Sequence, residues 1–155
     1  MPISERAKQA VRNFAQGCNC AQSVALAYAD VLGLTQEQAA MVSVGFGGGI
    51  GRLRDNCGAF SAAVMLCGML EGPDGAKKEH RPETYARVQE IHRQFLERNG
   101  TISCAELLGK AGVPEDPTPE ERTPEYYAKR PCARIIASAC EMIDGMLAEK
   151  EKHHA

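Results

Sequence analysis

Apolar residues recur at helical spacing over nearly the whole chain, and no segment shows the strict alternation of a half-buried strand. The pattern predicts an all-α, single-domain helical bundle of about six to eight helices. The first follows Ser4 and puts Ala7, Ala10, Val11, Phe14 and Ala15 on one face. The second starts near Asn19 and runs through "CAQSVALAYADVL" to Gly33. Thr35 caps a third, "QEQAAMVSVGF", which glycines end. The fourth, "CGAFSAAVMLCGML", is apolar on nearly all sides, which places it at the centre of the bundle or in a subunit contact. "EGPDGAKKEHRP" reads as a polar connection, followed by an amphipathic helix from about Glu83 to Arg98. Ser103 opens a short helix, "CAELLGKA". Residues 113–131 hold five prolines and read as an extended, mostly exposed Pro-rich connector. A last helix, "CARIIASACEMIDGMLAEKEK", closes the pattern, with no internal repeat and no domain boundary.

Length and charge narrow the function classes. A chain of 155 residues suits one domain burying ~70% of its unfolded surface. A net charge of -2 and a pI near 6.1 give no reason to expect nucleic acid or an anionic membrane as partner. The first residues are too charged for a secretory segment and no apolar run approaches a membrane span, so the expected location is the cytosol. Helices 20–33 and 57–70 are apolar over more of their circumference than one neighbour covers, which predicts a homodimer.

Seven cysteines, an odd number, do not suit a closed disulfide framework; in a reducing compartment they point to metal or redox chemistry, or to buried thiols. Four of them share a position. Asn19 precedes Cys20 with Gln22 at capping-box spacing, and Ser103 precedes Cys104 with Glu106 likewise placed. Asp55 or Asn56 is placed to cap the helix that Cys57 opens, and Pro131 stands immediately before Cys132. Each thiol thus falls in the first turn of a helix, where free N–H groups and the dipole favour a thiolate by ~0.3–1 kcal/mol. Cys67 and Cys140 lie mid-helix among apolar neighbours and are expected to be buried and inert; Cys18, in the turn before Cys20, reads as a spare or resolving thiol. The absence of C-x-x-C and C-x-x-C-H removes the zinc ribbon, the thioredoxin motif and covalent haem. Any shared site must be assembled by folding.

The stretch "VSVGFGGGIGRLRDNCGAF" has five glycines within seven positions, yet fits neither a dinucleotide fingerprint nor a P-loop. One reading is that Gly47, Gly48 and Gly49 lay bare amides against a site at Cys57, with Arg52 and Arg54 adding positive charge. The other is a tight interhelical turn with solvated arginines. On the first reading, loop amides, arginine charge and the helix start all push the Cys57 thiol below the free value of ~8.5. Cys57 is then the most sensitive residue of the chain. His92 reads as a surface residue, and Met65/Met69 and Met142/Met146 as core spacing. No Ser-His-Asp order or carboxylate pair supports hydrolysis.

The segments "GCNCAQSVALAYADVLGL", "GFGGGIGR" followed by "CGAFSA", "CAELLG" and "PCARIIASA" resemble a family of bacterial and archaeal proteins designated redox-active and named for its pattern C…GCAxxG…C…C. The resemblance spans roughly residues 10–145 and places the family's four cysteines on Cys20, Cys57, Cys104 and Cys132; Cys18, Cys67 and Cys140 have no counterpart. The glycine closing the central motif is Ala62 here. The family is also similar to the non-haem part of split-Soret cytochromes, which implies an iron–sulfur cluster ligated by the four cysteines. Four thiolates per cluster is the usual count. Three readings stand side by side. The first is an electron-transfer or redox-sensing module with an iron–sulfur cluster and an unidentified redox partner. The second is a thiol–disulfide oxidoreductase without metal, with Cys57 and Cys20 as candidate reactive thiols. The third is a structural zinc site in a binding protein.

Overall fold

A computed structural model describes residues 4–109 and 117–154. These residues form an all-α bundle with no strand among them; of ten α-helices, six have seven residues or more. In order they are α1 (Glu5–Ala15), α2 (Cys20–Ala27), α3 (Ala29–Leu32), α4 (Gln36–Ser43), α5 (Gly58–Met69), α6 (Gly72–Gly75), α7 (Arg81–Asn99), α8 (Cys104–Leu108), α9 (Pro124–Lys129) and α10 (Cys132–His154).

The caps fix the starts. Ser4 accepts from the Ala7 N–H at α1, while Asn19–Gln22 and Thr35–Gln38 form full capping boxes at α2 and α4. The segment read as one helix to Gly33 breaks at Tyr28, whose φ of -119° leaves the helical region. Tyr28 is fully buried there, and its hydroxyl donates to the Cys140 carbonyl at 3.0 Å and to Asp144 Oδ1 at 2.6 Å. That long-range anchor outweighs the continuous helical pattern.

The centre of the bundle is α2 and α5. The first packs on α1, α4, α5 and α10, the second also on α7 and α10. Small residues on both, Ala21 and Ala25 on α2 and Ala59, Ala62 and Ala63 on α5, are buried and let the helices approach closely. The apolar circumference that predicted a homodimer is therefore largely covered within the chain. Among the exposed large apolar side chains, Met41, Val42, Val44, Phe46 and Leu53 lie outside these two helices, and Met69 lies at the end of α5.

Other departures have local causes. The polar connection contains α6 and a 3-10 turn at Lys78–His80, and α7 starts at Arg81, with Pro82 in its first turn where a missing N–H costs nothing. His92 is half-buried, its ring edge-on to Phe60 at 5.8 Å. Met69, expected in the core, is 46% exposed at the end of α5, whereas its counterpart Met142 is buried. The Pro-rich connector is not extended throughout: Thr123 caps α9, whose first residue is Pro124. Its stretch 113–116, and residues 110–111 of the predicted "CAELLGKA" helix, lie outside the described residues.

Candidate functional site

Cys20, Cys57, Cys104 and Cys132 line one cavity of about 50 Å³. They arrive from four helix starts, the first and last more than a hundred residues apart in the chain, as the sequence required. Each is delivered by a different local device.

Cys20 and Cys132 are the first residues of α2 and α10. Their thiols share one cavity and bear on each other's protonation. Cys57 and Cys104 are joined by a short antiparallel bridge between Asn56 and Ser103. The Cys57 N–H donates to the Ile102 carbonyl at 2.7 Å, and the Cys104 N–H to the Asp55 carbonyl at 2.7 Å. Asp55 and Asn56, expected to cap α5, are engaged in this bridge instead. Cys57 itself is the cap residue, one position before the helix rather than inside its first turn.

The glycine stretch explains how the bridge is reached. Gly48, Gly49, Ile50, Gly51 and Arg52 follow one another with φ between 54° and 69°, and Arg54 has φ 60°. This left-handed turn is closed by Asp55 N–H donating to Gly49 O at 2.8 Å and Arg54 N–H to Gly48 O at 3.2 Å. Glycine carries such backbone without penalty; Ile50, Arg52 and Arg54 do not, at about 1–2 kcal/mol each. Strained backbone of this kind gathers at functional sites. Gly49 is required twice over, because a Cβ there would lie 2.5 Å from the Cys104 Cβ and 2.8 Å from the Asp55 nitrogen.

Of the loop residues singled out by sequence, Gly48 and Gly49 line the cysteine cavity. Gly47 and Arg52 do not; they line a neighbouring cavity of about 300 Å³. The cation facing the cysteines is Arg54, which is buried and places a terminal guanidinium N–H 3.7 Å from Cys104 Sγ.

The far wall comes from residues the sequence reading passed over. Arg122 stacks on Phe14 and Tyr126, 4.8 and 4.6 Å from their ring centroids, and donates to the carbonyls of Phe14 and Cys18. Arg130 lies 4.5 Å over the other side of the same cluster at Tyr126 and pairs with Glu120 at 2.8 Å. Tyr126, Arg122 and Arg130 all line the cysteine cavity. The available signal was Thr123-Pro124, a helix start inside a proline-rich run, flanked by arginines on either side of two tyrosines.

The electrostatics invert one expectation. Sequence predicts a Cys57 thiol below the free value; burial instead pushes it up to about 11, against the opposing pull of the Phe60 and Ala59 N–H groups. Desolvation outweighs the helix start because the sulfur has no water to share the charge. The lowered thiol is Cys132, at about 7, because the Cys20 thiol beside it favours its charged form and Arg130, Arg122 and Arg54 add positive charge against burial. The same pairing, with burial, raises Cys20 well above the usual thiol range. Cys67 and Cys140 are fully buried and pushed up by desolvation, to about 11 and about 12. Cys18 is half-buried, raised by burial, and stays outside the cavity lining.

Among the described residues, no three His, Cys, Asp or Glu side chains stand close enough together to ligate a single ion.

Comparisons with known proteins follow the same residues. An uncharacterized protein of Archaeoglobus fulgidus is 28% identical over 151 residues, covering 92% of this chain and 93% of its own. No solved structure matches. Residues 18–146, a span that contains all four cavity cysteines, match the family described as "Putative redox-active protein (C_GCAxxG_C_C)", and the chain belongs to that family.

Proposed function

We propose that Cys20, Cys57, Cys104 and Cys132 together ligate an iron–sulfur cluster and that the protein serves electron transfer or redox sensing with a partner protein. The observation that carries this reading is the convergence of four thiols, from four separate helix starts, on one small cavity. When bound, such a cluster supplies reversible one-electron chemistry. The chain's own residues fit an anionic sulfur-rich group. Arg54 reaches Cys104 Sγ, and Arg122 and Arg130 stand in the same wall. The Ala59 and Phe60 N–H groups point at the Cys57 sulfur. Apolar walls from Phe14, Leu107, Leu108 and Ile135 keep water out. Positive charge and N–H donors at the sulfurs raise a reduction potential, whereas the low dielectric lowers it.

The pair Cys20–Cys132, whose thiols bear on each other's protonation, favours a second reading, a metal-free dithiol. Its reaction would join the two sulfurs in a disulfide, releasing two protons and two electrons to a substrate disulfide that becomes two thiols. Cys57 and Cys20, the pair expected from sequence, are less suited to it because Cys57 is held protonated by burial.

Anaerobic purification from iron-supplemented cells separates the readings. The cluster reading expects a brown protein with broad visible absorbance, iron and acid-labile sulfide in equal amounts, and loss of all three in Cys57→Ser. Colourless protein with a Cys20–Cys132 disulfide after mild oxidation supports the dithiol, and one zinc per chain without sulfide supports a structural metal.

A further inference from the structure

The cavity of about 300 Å³ beside the cysteine site shares with it a wall made of Asn19, Gly48, Arg54, Arg122, Tyr126 and Arg130. Among the described residues its charge is one-sided: Arg52, Arg54, Arg122 and Arg130 line it against a single carboxylate, Glu120. Its volume is at the lower end of small-molecule pockets.

The arginines are not equally committed. Arg122 is spent on two backbone carbonyls and on its aromatic stack, so it is part of the frame. Arg54 has its Nε buried without a hydrogen-bond partner, although its side chain is only 4% exposed. Arg52 is half-buried and faces only this cavity, not the cysteines. Compensation of thiolate charge therefore accounts for Arg54 but not for Arg52. Glu120 shows what these groups accept. Its carboxylate lies 2.8 Å from the Arg130 guanidinium and 3.9 Å from that of Arg54. The cavity already holds one tethered oxyanion, and the Arg54 Nε–H remains without a partner.

We propose that this cavity binds a small oxyanion-bearing molecule, a carboxylate or a phosphate, on Arg52, Arg54 and Arg130, one side-chain layer from the cysteine site. Guanidinium forks suit both oxyanions. Glu120 acts there as an internal competitor for Arg130 and Arg54. The assignment stands on the arginine geometry alone and holds whichever redox group the cysteines carry.

Calorimetric titration at low ionic strength, with inorganic phosphate in one arm and malonate in the other, tests it on both the metal-free and the iron-loaded protein. One-to-one binding of at least one anion is expected, and the tighter arm identifies the oxyanion class. Arg52→Gln, a substitution at a half-exposed position, should weaken that binding by about tenfold, the loss of one charge-assisted hydrogen bond. Glu120→Gln should tighten it, because the competing charge is gone. Absence of heat with both anions, or affinities that neither substitution changes, overturns the assignment. Anion binding by a chain that takes up no iron would keep this inference and remove the cluster reading; iron without anion binding would do the reverse.

Discussion

Two sets of cysteines in this molecule have the same side chain and nearly the same burial, yet different surroundings. Cys67 and Cys140 lie mid-helix on α5 and α10, fully enclosed by the core. Their backbone N–H groups are used in the helix, and desolvation is the largest influence on both, outweighing the pull of Arg87 on Cys67 and of the Tyr28 hydroxyl on Cys140. Cys57 and Cys132 are almost as buried, at 5% and 7% exposed, but stand at helix starts with arginines and spare N–H groups nearby. Burial by itself therefore does not separate an inert thiol from a candidate ligand. What separates them is place: Cys57 and Cys132 stand at helix starts on one cavity shared with two further thiols and with Arg54, Arg122 and Arg130, whose charge compensates a sulfur once the proton has left.

The comparison breaks most visibly by substitution. Cys57→Ser, or Cys20→Ser, should abolish iron binding and the visible absorbance with the helical circular dichroism retained. Cys67→Ala and Cys140→Ala should keep both. Next in size, Gly49→Ala should lower stability by about 1–3 kcal/mol, because its methyl group meets backbone and the Cys104 Cβ and cannot be relieved by a rotamer change. Chemical denaturation measures that loss, and an unchanged midpoint would show that the left-handed turn is not what positions Cys104.

Smaller effects sharpen the contrast. The raised thiols of Cys67 and Cys140 stay protonated in the folded chain after the unfolded chain has ionised. Stability that is fully present below pH 9 should therefore decline as the pH rises from about 9 toward 11 and 12. The slope is on the order of 1.4 kcal/mol per pH unit for each thiol, and Cys140→Ala should flatten it. Melting curves across that range check the sign. Smallest of all, Ile50→Gly removes a β-branched residue from φ 66° and should raise stability by up to about 1 kcal/mol, in contrast to the neighbouring glycines.

Much of this was legible in the residues. Ser4, Asn19, Thr35 and Ser103 declare their helices because a cap is a local interaction, and three of the four helix-start cysteines, Cys20, Cys104 and Cys132, follow from the caps at Asn19 and Ser103 and from Pro131. What was not legible depends on contacts distant in sequence. The Asn56–Ser103 bridge places Cys57 as a cap residue, and no local pattern announces it. The break at Tyr28 is set by Cys140 and Asp144, more than a hundred residues away. The direction of the Cys57 shift is hidden for the same reason. Positive charge and a helix start are visible at Cys57, but the depth of its burial and the Cys20 thiol beside Cys132 exist only after folding.

The central claim is that four cysteines, and no others, form the redox site. Its most direct test is the triple variant Cys18→Ala, Cys67→Ala, Cys140→Ala, which leaves only Cys20, Cys57, Cys104 and Cys132. Iron and acid-labile sulfide per chain, determined after anaerobic purification alongside the wild type, should be equal in the two proteins, with the same visible spectrum. A triple variant that loses its iron, beside a Cys57→Ser protein that keeps it, would contradict the account.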